Sequence, residues 1–474
     1  MKRGAGKLGR KKRRSLKRGA SKKEGEGAPK VKRSKKKHRK AEAAGRLALR
    51  REAESKPWCV GWEERERVGE VLSEHGVCVV TDVFSAERCE EWCADVLRCL
   101  AQALTVPDPD AYVRNTLAFW RELASFGGRK ASAQEKEELR ARYPPGSAFY
   151  SGDRRHLPAQ TREGLFSSGG VSNMRPLWEV RKSERVRQLF ELAYTGTMGR
   201  PPGPMVVSGD GMNLCSTRPD PLRPQTFRTR TDSSTGEPSD WAHVDKTLQQ
   251  EKKGEEGSER NHLFSSIQGQ AVMADSDASF RATPGSHKLW RELMRVKEEA
   301  SGKRPSGDWC IVRPHTLEVR RALGIAPDRW QVPIRAPAGS FILWSSALLH
   351  SATNAERVIP GTCGHRAVQY VCFTPLRLLT PRNLATRERA LLENRWTRHN
   401  SRALGSKNAA AAYGSGKDFE AEVLDLMENP HKVHERTGYH PAEDPQAREL
   451  AVPGRGEEGG DQKGGCCSLK GAGQ

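Results

Sequence analysis

The sequence lacks any apolar run that could cross a membrane, because no stretch approaches the roughly 20 apolar residues that a transmembrane helix requires. A secretory signal is also missing, since no apolar segment follows the charged residues at the start of the chain. We therefore expect a soluble protein of the nucleus, or otherwise of the cytoplasm, whose thiols stay reduced.

Paired cysteine motifs are missing too. The 11 cysteines are scattered, and no Cys-x2-Cys pair is accompanied by a second one. This argues against a structural zinc site, whose ligands usually come in such pairs. Cys89, Cys93 and Cys99 lie in the amphipathic segment SAERCEEWCADVLRCL, where cysteine acts as a small buried apolar residue.

Acidic residues are scarce in the first 40 positions, which hold 20 Lys or Arg but only Glu24 and Glu26. This segment therefore carries +18 of the total charge of +22, and the rest of the chain is nearly neutral. It has too few apolar residues to offset the entropy of ordering, so we predict that residues 1–50 are a disordered basic tail, from which the helix-prone segment AEAAGRLALRREAE leads into the folded domain.

Runs such as KKRRSLKR are typical of nuclear-import signals and of nucleic-acid-binding segments. We therefore expect an import receptor or a nucleic acid as the partner of residues 1–40, and a nuclear location. The alternative is a solvated tail without a specific partner.

The remainder of the chain has the composition of a folded domain. HGVCVVTDVFSAERCEEW predicts a strand, a turn and a helix capped by Ser85. After Gly203, short apolar segments separated by Gly, Pro and Ser predict antiparallel strands of a barrel or jelly roll. We predict one domain at 57–380, mainly β with flanking helices, a helical extension at 381–430, and a polar disordered tail at 431–474.

The residues that could carry chemistry lie in the β-rich part. In SDWAHVDKT, His243 and Asp245 point to the same side if the segment is a strand. They could be two ligands of a 2-His-1-carboxylate iron site, or two polar residues of an ordinary strand. His350 ends the apolar segment GSFILWSSALLH and is the candidate third ligand. Arg366 lies in the apolar segment HRAVQYVCF, where a buried guanidinium needs an anion such as a carboxylate.

Seven segments, taken in chain order, resemble the phytanoyl-CoA dioxygenase family of Fe(II)/2-oxoglutarate-dependent dioxygenases. TPGSHK is the most specific of them. The resemblance spans roughly residues 75–377. The segments are GVCVVTDVFSAERCEE, MVVSGDGMN, WAHVD, IQGQAV, TPGSHK, GSFILWSSALLHSATN and RAVQYVCFTP.

The resemblance implies a double-stranded β-helix, the cupin-like jelly roll, with helices packed outside. It also implies that His243, Asp245 and His350 are catalytic and bind Fe(II), and that Arg366 pairs with the far carboxylate of 2-oxoglutarate. Gln268 would contact this cosubstrate or line the site. The implied enzyme hydroxylates a C–H bond of a small-molecule or lipid-like substrate that the sequence does not identify. Succinate and CO2 are the co-products.

Other residues have competing interpretations. Arg357, in a loop, is the rival of Arg366 for the carboxylate, and His287 is expected to be a turn residue or to support the ligands without being a fourth one. His365 is expected on the strand face opposite Arg366. A second class of function is also open: an inactive jelly-roll scaffold that acts as a nuclear or nucleic-acid-binding protein through its tail, since a fold does not guarantee activity.

Overall fold

The structure is a computed structural model that describes residues 28–126, 131–144, 146–148, 165–166, 170–217, 242–246, 259, 262–302, 310–312, 315–353, 358–395, 397, 426 and 429–453. The chain divides into two compact units, Met1–Lys40 and Ala41–Gln474. More of the described residues lie in helices than in strands, so the fold is mixed α and β with several sheets. The prediction of a mainly β chain is wrong, because helices contain more of the described residues than strands do. The amphipathic segments before and between the strands form complete helices.

Twelve α-helices are present among these described residues. They are α1 (Ala28–Glu54), α2 (Val68–His75), α3 (Ala86–Ala103), α4 (Pro109–Ser125), α5 (Ala133–Arg142), α6 (Arg175–Arg181), α7 (Glu184–Met198), α8 (Trp290–Ser301), α9 (Thr316–Ala322), α10 (Pro381–Leu392), α11 (His431–Thr437) and α12 (Pro445–Ala451).

The same part of the chain contains strands β1 (Cys59–Gly61), β2 (Val77–Thr81), β3 (Leu165–Phe166), β4 (Met205–Val207), β5 (Met212–Ser216), β6 (His243–Val244), β7 (Ile267–Val272), β8 (Ser279–Ala282), β9 (Cys310–Ile311), β10 (Val332–Ile334), β11 (Phe341–Ser345), β12 (His350–Thr353), β13 (His365–Val371) and β14 (Phe373–Pro375). A seven-stranded sheet has the order β1-β2-β11-β7-β13-β5-β3, and a five-stranded sheet has the order β10-β8-β12-β6-β9. Strands β14 and β4 form a separate pair. Neighbouring strands are antiparallel apart from β1 and β2.

The strand–turn–helix predicted near the start of the domain is confirmed. Strand β2 is buried along its whole length, and α3 begins directly after Ser85. The Ser85 hydroxyl accepts a hydrogen bond from the Arg88 N–H, which satisfies one of the free donors at the start of the helix.

Side chains alternate between the two faces of the seven-stranded sheet and build two different layers. One face packs against helices α3 and α7, with Leu343, Ala367 and Leu97 in a single apolar cluster. The other face packs against the five-stranded sheet, where Ile342 contacts the cluster that contains Phe280. The two sheets therefore lie face to face, and the outer side of the smaller one is covered by α8 and α9.

The disorder predicted for residues 1–50 is wrong for residues 28–50, which form most of α1. The segment AEAAGRLALRREAE is rich in strong helix formers, and Leu49 and Ala53 are buried. Gly45 lies so close to the backbone at Gly361 that a Cβ atom would clash with the Gly361 carbonyl carbon. Residues 1–27 lie outside the described residues.

The disorder predicted for residues 431–474 is also wrong for the described part of that segment, which contains α11 and α12. Val433 and Ala447 are buried, and the Asp444 side chain caps α12 by accepting from the Ala447 N–H. The helical extension predicted at 381–430 begins with α10, but most of its remainder lies outside the described residues. In the part of the chain that the structure describes, no helix is both long and apolar enough to span a membrane.

Candidate metal centre

Two histidines and one aspartate converge on the five-stranded sheet. His243 begins β6 and His350 begins β12, and the two residues pair directly across these antiparallel strands. Asp245 follows β6, and its N–H donates to the Ser346 carbonyl at 2.9 Å. One donor atom from each of the three residues lies within 4.8 Å of the others.

The carboxylate of Asp245 lies between the two imidazoles. Its Oδ1 is 3.6 Å from His243 Nε2, and its Oδ2 is 3.4 Å from His350 Nε2. His350 Nδ1 lies 2.9 Å from the Leu348 carbonyl, which can only accept, so Nδ1 carries the proton. In a neutral imidazole, Nε2 then presents its lone pair to a carboxylate oxygen. Because two acceptors repel, a metal ion between them would stabilise this arrangement.

The donor set fits a mononuclear non-haem iron site. Two imidazoles and one carboxylate are the ligands of the facial triad, which leaves other positions on the ion open. Both histidines are buried and Asp245 is partly buried, so the group is shielded from most of the solvent but can still be reached at Asp245. We expect His243, Asp245 and His350 to act as ligands, in agreement with the sequence prediction of which residues meet.

Gln268 lies on β7 and reaches the candidate ligand group from the opposite sheet. Its Nε2 donates to Asp245 Oδ2 at 2.9 Å. The buried Gln268 Oε1 has no hydrogen-bond partner among the described residues. Gln268 thus lines the group, while its contact with a cosubstrate stays a prediction.

Arg366 lies on β13 and faces the space between the sheets. Its side chain is buried, with Nη2 3.5 Å from Gln270 Oε1, and Nη1 finds no partner in the described part of the chain. A buried guanidinium that is only half paired is costly, and an anion would remove that cost. Arg366 and Gln270 line a small cavity whose wall includes Phe280 and Ile342.

Aromatic rings lie next to both this cavity and the candidate ligand His350. The Phe280 ring centroid lies 5.4 Å from that of His350 and 4.6 Å from that of Trp344. Trp344 lies 5.7 Å from His350. Because Phe280 also lines the Arg366 cavity, the metal-binding candidates and the half-paired arginine share one wall.

The other predicted residues fall elsewhere. His365 lies on the helix-covered face, stacked on Trp120 at 4.1 Å, and burial lowers the pKa of its imidazole to about 3. His287 packs in its turn with Nε2 3.2 Å from the Ser73 carbonyl, and burial lowers its pKa to about 4. Neither histidine belongs to the ligand group. Arg357 and most of the charged insertion after Asp245 lie outside the described residues.

The sequence analysis missed Gln270, although a signal for it was present. Gln270 is two residues after Gln268 on β7, so both amides face the space between the sheets. It also missed Phe280, whose position in the wall depends on how the two sheets pack and leaves no mark in the sequence.

Comparisons with known proteins do not assign a family. No protein-family model matches the chain, and no curated protein matches it. Among solved structures, it is similar to GlcNAc Inducible Gene 2 (DUF1479) from Candida albicans, with 12% identity, a TM-score of 0.39, and coverage of 87% of this chain and 86% of that chain.

Two further solved structures show the same level of similarity. A putative oxidoreductase from Salmonella typhimurium LT2 has 11% identity and a TM-score of 0.41, covering 84% of this chain and 93% of that chain. The epimerase SnoN, solved in complex with Fe3+, alpha ketoglutarate and nogalamycin RO, has 11% identity and a TM-score of 0.30, covering 66% of this chain and 84% of that chain. These sequence identities and TM-scores are too low to assign a function to the chain.

Proposed function

We propose that the chain is an Fe(II)/2-oxoglutarate-dependent oxygenase, similar to the phytanoyl-CoA dioxygenase family and built on a double-stranded β-helix. The observation that carries the proposal is the group His243, Asp245 and His350, in which an imidazole lone pair faces a carboxylate. Two mostly antiparallel sheets that pack face to face, with helices outside, support the jelly-roll assignment. The order of the seven sequence segments supports the family.

The three ligand candidates would hold Fe(II) on one side and leave the other side free for ligands from solution. Gln268 donates to one carboxylate oxygen of Asp245, which fixes the orientation of the carboxylate. Arg366 would bind the far carboxylate of 2-oxoglutarate, since its Nη1 is buried and unpaired among the described residues. A planar guanidinium matches a carboxylate with two parallel hydrogen bonds.

When bound, Fe(II) and 2-oxoglutarate would reduce O2, with one oxygen atom entering the hydroxylated substrate C–H bond and the other entering the succinate that forms as CO2 is lost. The chain's own contribution is orientation and the exclusion of water. Phe280, Ile342 and Trp344 form an apolar wall alongside the ligand group and the arginine, and all three are buried. An apolar wall protects a reactive site from side reactions. The proposed substrate is a small or lipid-like molecule.

Turnover of 2-oxoglutarate tests the proposal. With Fe(II) in air, we expect the wild-type chain to release labelled CO2 from 2-oxoglutarate labelled at C1 and to form succinate, even without the substrate. Asp245→Ala and Arg366→Met should lose this release. His365→Phe is the matched control, because His365 neighbours Arg366 but faces the helices.

A folded, iron-loaded wild type that releases no CO2 would leave the inactive scaffold as the better account.

The basic segment supports a second proposed property, the binding of a nucleic acid or an import receptor. Residues 1–40 carry 20 Lys or Arg and only two acidic residues. Binding of duplex DNA or RNA should weaken steeply with salt, with a log–log slope of about −0.9 per neutralised phosphate for duplex DNA. Replacing these Lys and Arg residues by Gln should abolish binding and nuclear accumulation of a fluorescent fusion, and an unchanged location would contradict import through this segment.

A further inference from the structure

Gln331 is a buried polar residue behind the strand that carries His350. It precedes β10 and is 0% exposed, although nothing in the sequence around it indicates a site. Its backbone has a φ of 49°, a left-handed conformation that favours glycine. A glutamine in this unfavourable conformation indicates that its side chain makes hydrogen bonds that a glycine could not make.

The side chain of Gln331 contacts both neighbours of the candidate ligand His350, one just before β12 and one within it. Its Nε2 donates to the Leu349 carbonyl at 3.1 Å, and its Oε1 accepts from the Ser351 hydroxyl at 2.6 Å. Leu349 and Ser351 flank His350, and successive side chains on a strand point to opposite faces. Gln331 therefore bonds to both neighbours of His350 from the side that the imidazole does not face.

Thr283 in turn holds both the backbone and the side-chain amide of Gln331. The Gln331 backbone N–H and Nε2 both donate to Thr283 Oγ1, at 3.0 and 3.2 Å. Thr283 and Ser286, both in the TPGSHK turn, also bind the backbone of Leu349, through the Thr283 N–H at 2.9 Å and the Ser286 hydroxyl at 2.9 Å. The TPGSHK turn and Gln331 together fix the residue before His350 from two directions.

We propose that Gln331 is a positioning residue for the metal centre, which acts by holding the Leu349 carbonyl and the Ser351 hydroxyl on either side of His350. The inference rests on the proposed function, because it takes His350 to be an iron ligand. Positioning residues around a metal site typically change its affinity for the ion when they are removed, by about 10- to 100-fold. Gln331 does this through the two neighbours of His350, without touching the ligand side chain.

Titration with Co2+ alone tests the role without any turnover. In Gln331→Ala, we expect the Co2+ affinity to fall about tenfold or more and the visible spectrum of bound Co2+ to change. Gln331→Gly suits the positive φ, so it is the variant to use if the alanine variant does not fold. Ser351→Ala removes one of the two contacts and should give a smaller loss of affinity.

Gln369→Ala is the matched control. Gln369 is 0% exposed and its Nε2 donates to the Leu177 carbonyl at 2.6 Å, so it resembles Gln331 in burial and bonding. It lies on the helix-covered face of β13, away from the ligand strands. Its loss should lower the melting temperature as much as the loss of Gln331 does and should leave Co2+ binding unchanged.

The possible outcomes separate the two ideas. Wild-type Co2+ affinity and spectrum in Gln331→Ala or Gln331→Gly, with a lowered melting temperature, would overturn the positioning role alone. Failure of the folded wild type to bind Co2+ would overturn the iron site and the positioning role with it. A loss of affinity in the Gln331 variants, absent from Gln369→Ala, would support both.

Discussion

The same strands build both faces of the seven-stranded sheet, but the side chains on the two faces differ in polarity. The face towards the helices is mostly apolar, with Leu343, Ala367 and Phe341 in the main core cluster, and its polar side chains, Gln369 and His365, contact the helices. The face towards the five-stranded sheet places Gln268 and two other buried polar side chains, Gln270 and Arg366, among apolar ones.

Burial alone does not explain this difference, because both faces are shielded from water. An apolar side chain would satisfy the inner face at a lower cost than a half-paired guanidinium. The polar residues on the inner face are therefore expected to serve binding, and those on the helix face to serve stability. Four predictions test that division.

The largest effect is expected on the helix face. Phe341→Ala removes a fully buried ring and should lower the free energy of unfolding by about 3–5 kcal/mol. Chemical denaturation measures this loss. Metal affinity of the molecules that remain folded should be unchanged, and a parallel loss of both would break the division between the faces.

On the inner face, Arg366→Met should change binding more than stability. It removes a buried charge whose Nη1 is unpaired among the described residues, so the unfolding free energy should change little. The affinity for 2-oxoglutarate should fall about 100-fold, since a bidentate charged pair contributes roughly 3 kcal/mol. Calorimetric titration with 2-oxoglutarate in the presence of Mn2+ measures it, and an unchanged affinity would count against Arg366 as the anion site.

His365 on β13 should make the stability of the fold depend on pH. Burial lowers the pKa of His365 to about 3, whereas the unfolded chain takes up this proton near pH 6.5. The unfolded state binds more protons between these values, so this stability is complete above about pH 6.5 and is lost as the pH falls towards 3, at roughly 1.4 kcal/mol per pH unit. His365→Phe should flatten the slope of unfolding free energy against pH. The same slope in the variant would show that His365 does not carry it.

The smallest effect is expected at Gln268. Gln268→Leu removes the hydrogen bond to Asp245 Oδ2 and should weaken metal affinity about tenfold, with little change in unfolding free energy. Equilibrium titration with Co2+ measures this change. Gln369→Leu, on the helix face, should give the reverse pattern, and similar patterns in the two variants would contradict the division.

The sequence predicted which side chains come together in the candidate ligand group, because the patterns that mark these residues are short and local. His243 and Asp245 share a side through the two-residue period of a strand, and His350 was marked by its apolar segment and the family resemblance. The alternation on β13 likewise separated His365 from Arg366 correctly.

What the sequence could not predict depends on long-range packing. Phe280 enters the wall of the site because the two sheets face each other, and Gln331 reaches Ser351 from 20 residues away along the chain. Helices α1 and α11 were predicted as disorder because their segments are polar, and burial of Leu49 and Val433 stabilises them.

The most direct test of the central claim is an anaerobic titration of the purified chain with Fe(II) and 2-oxoglutarate, followed in the visible range. Chelation of the metal by the keto acid gives a weak charge-transfer band. We predict a band that needs both components, is absent in His243→Ala, and requires a much higher 2-oxoglutarate concentration in Arg366→Met. A folded wild type that gives no band would contradict the iron site. It would also contradict the assignment of binding to the inner face of the sheet and of stability to the helix face.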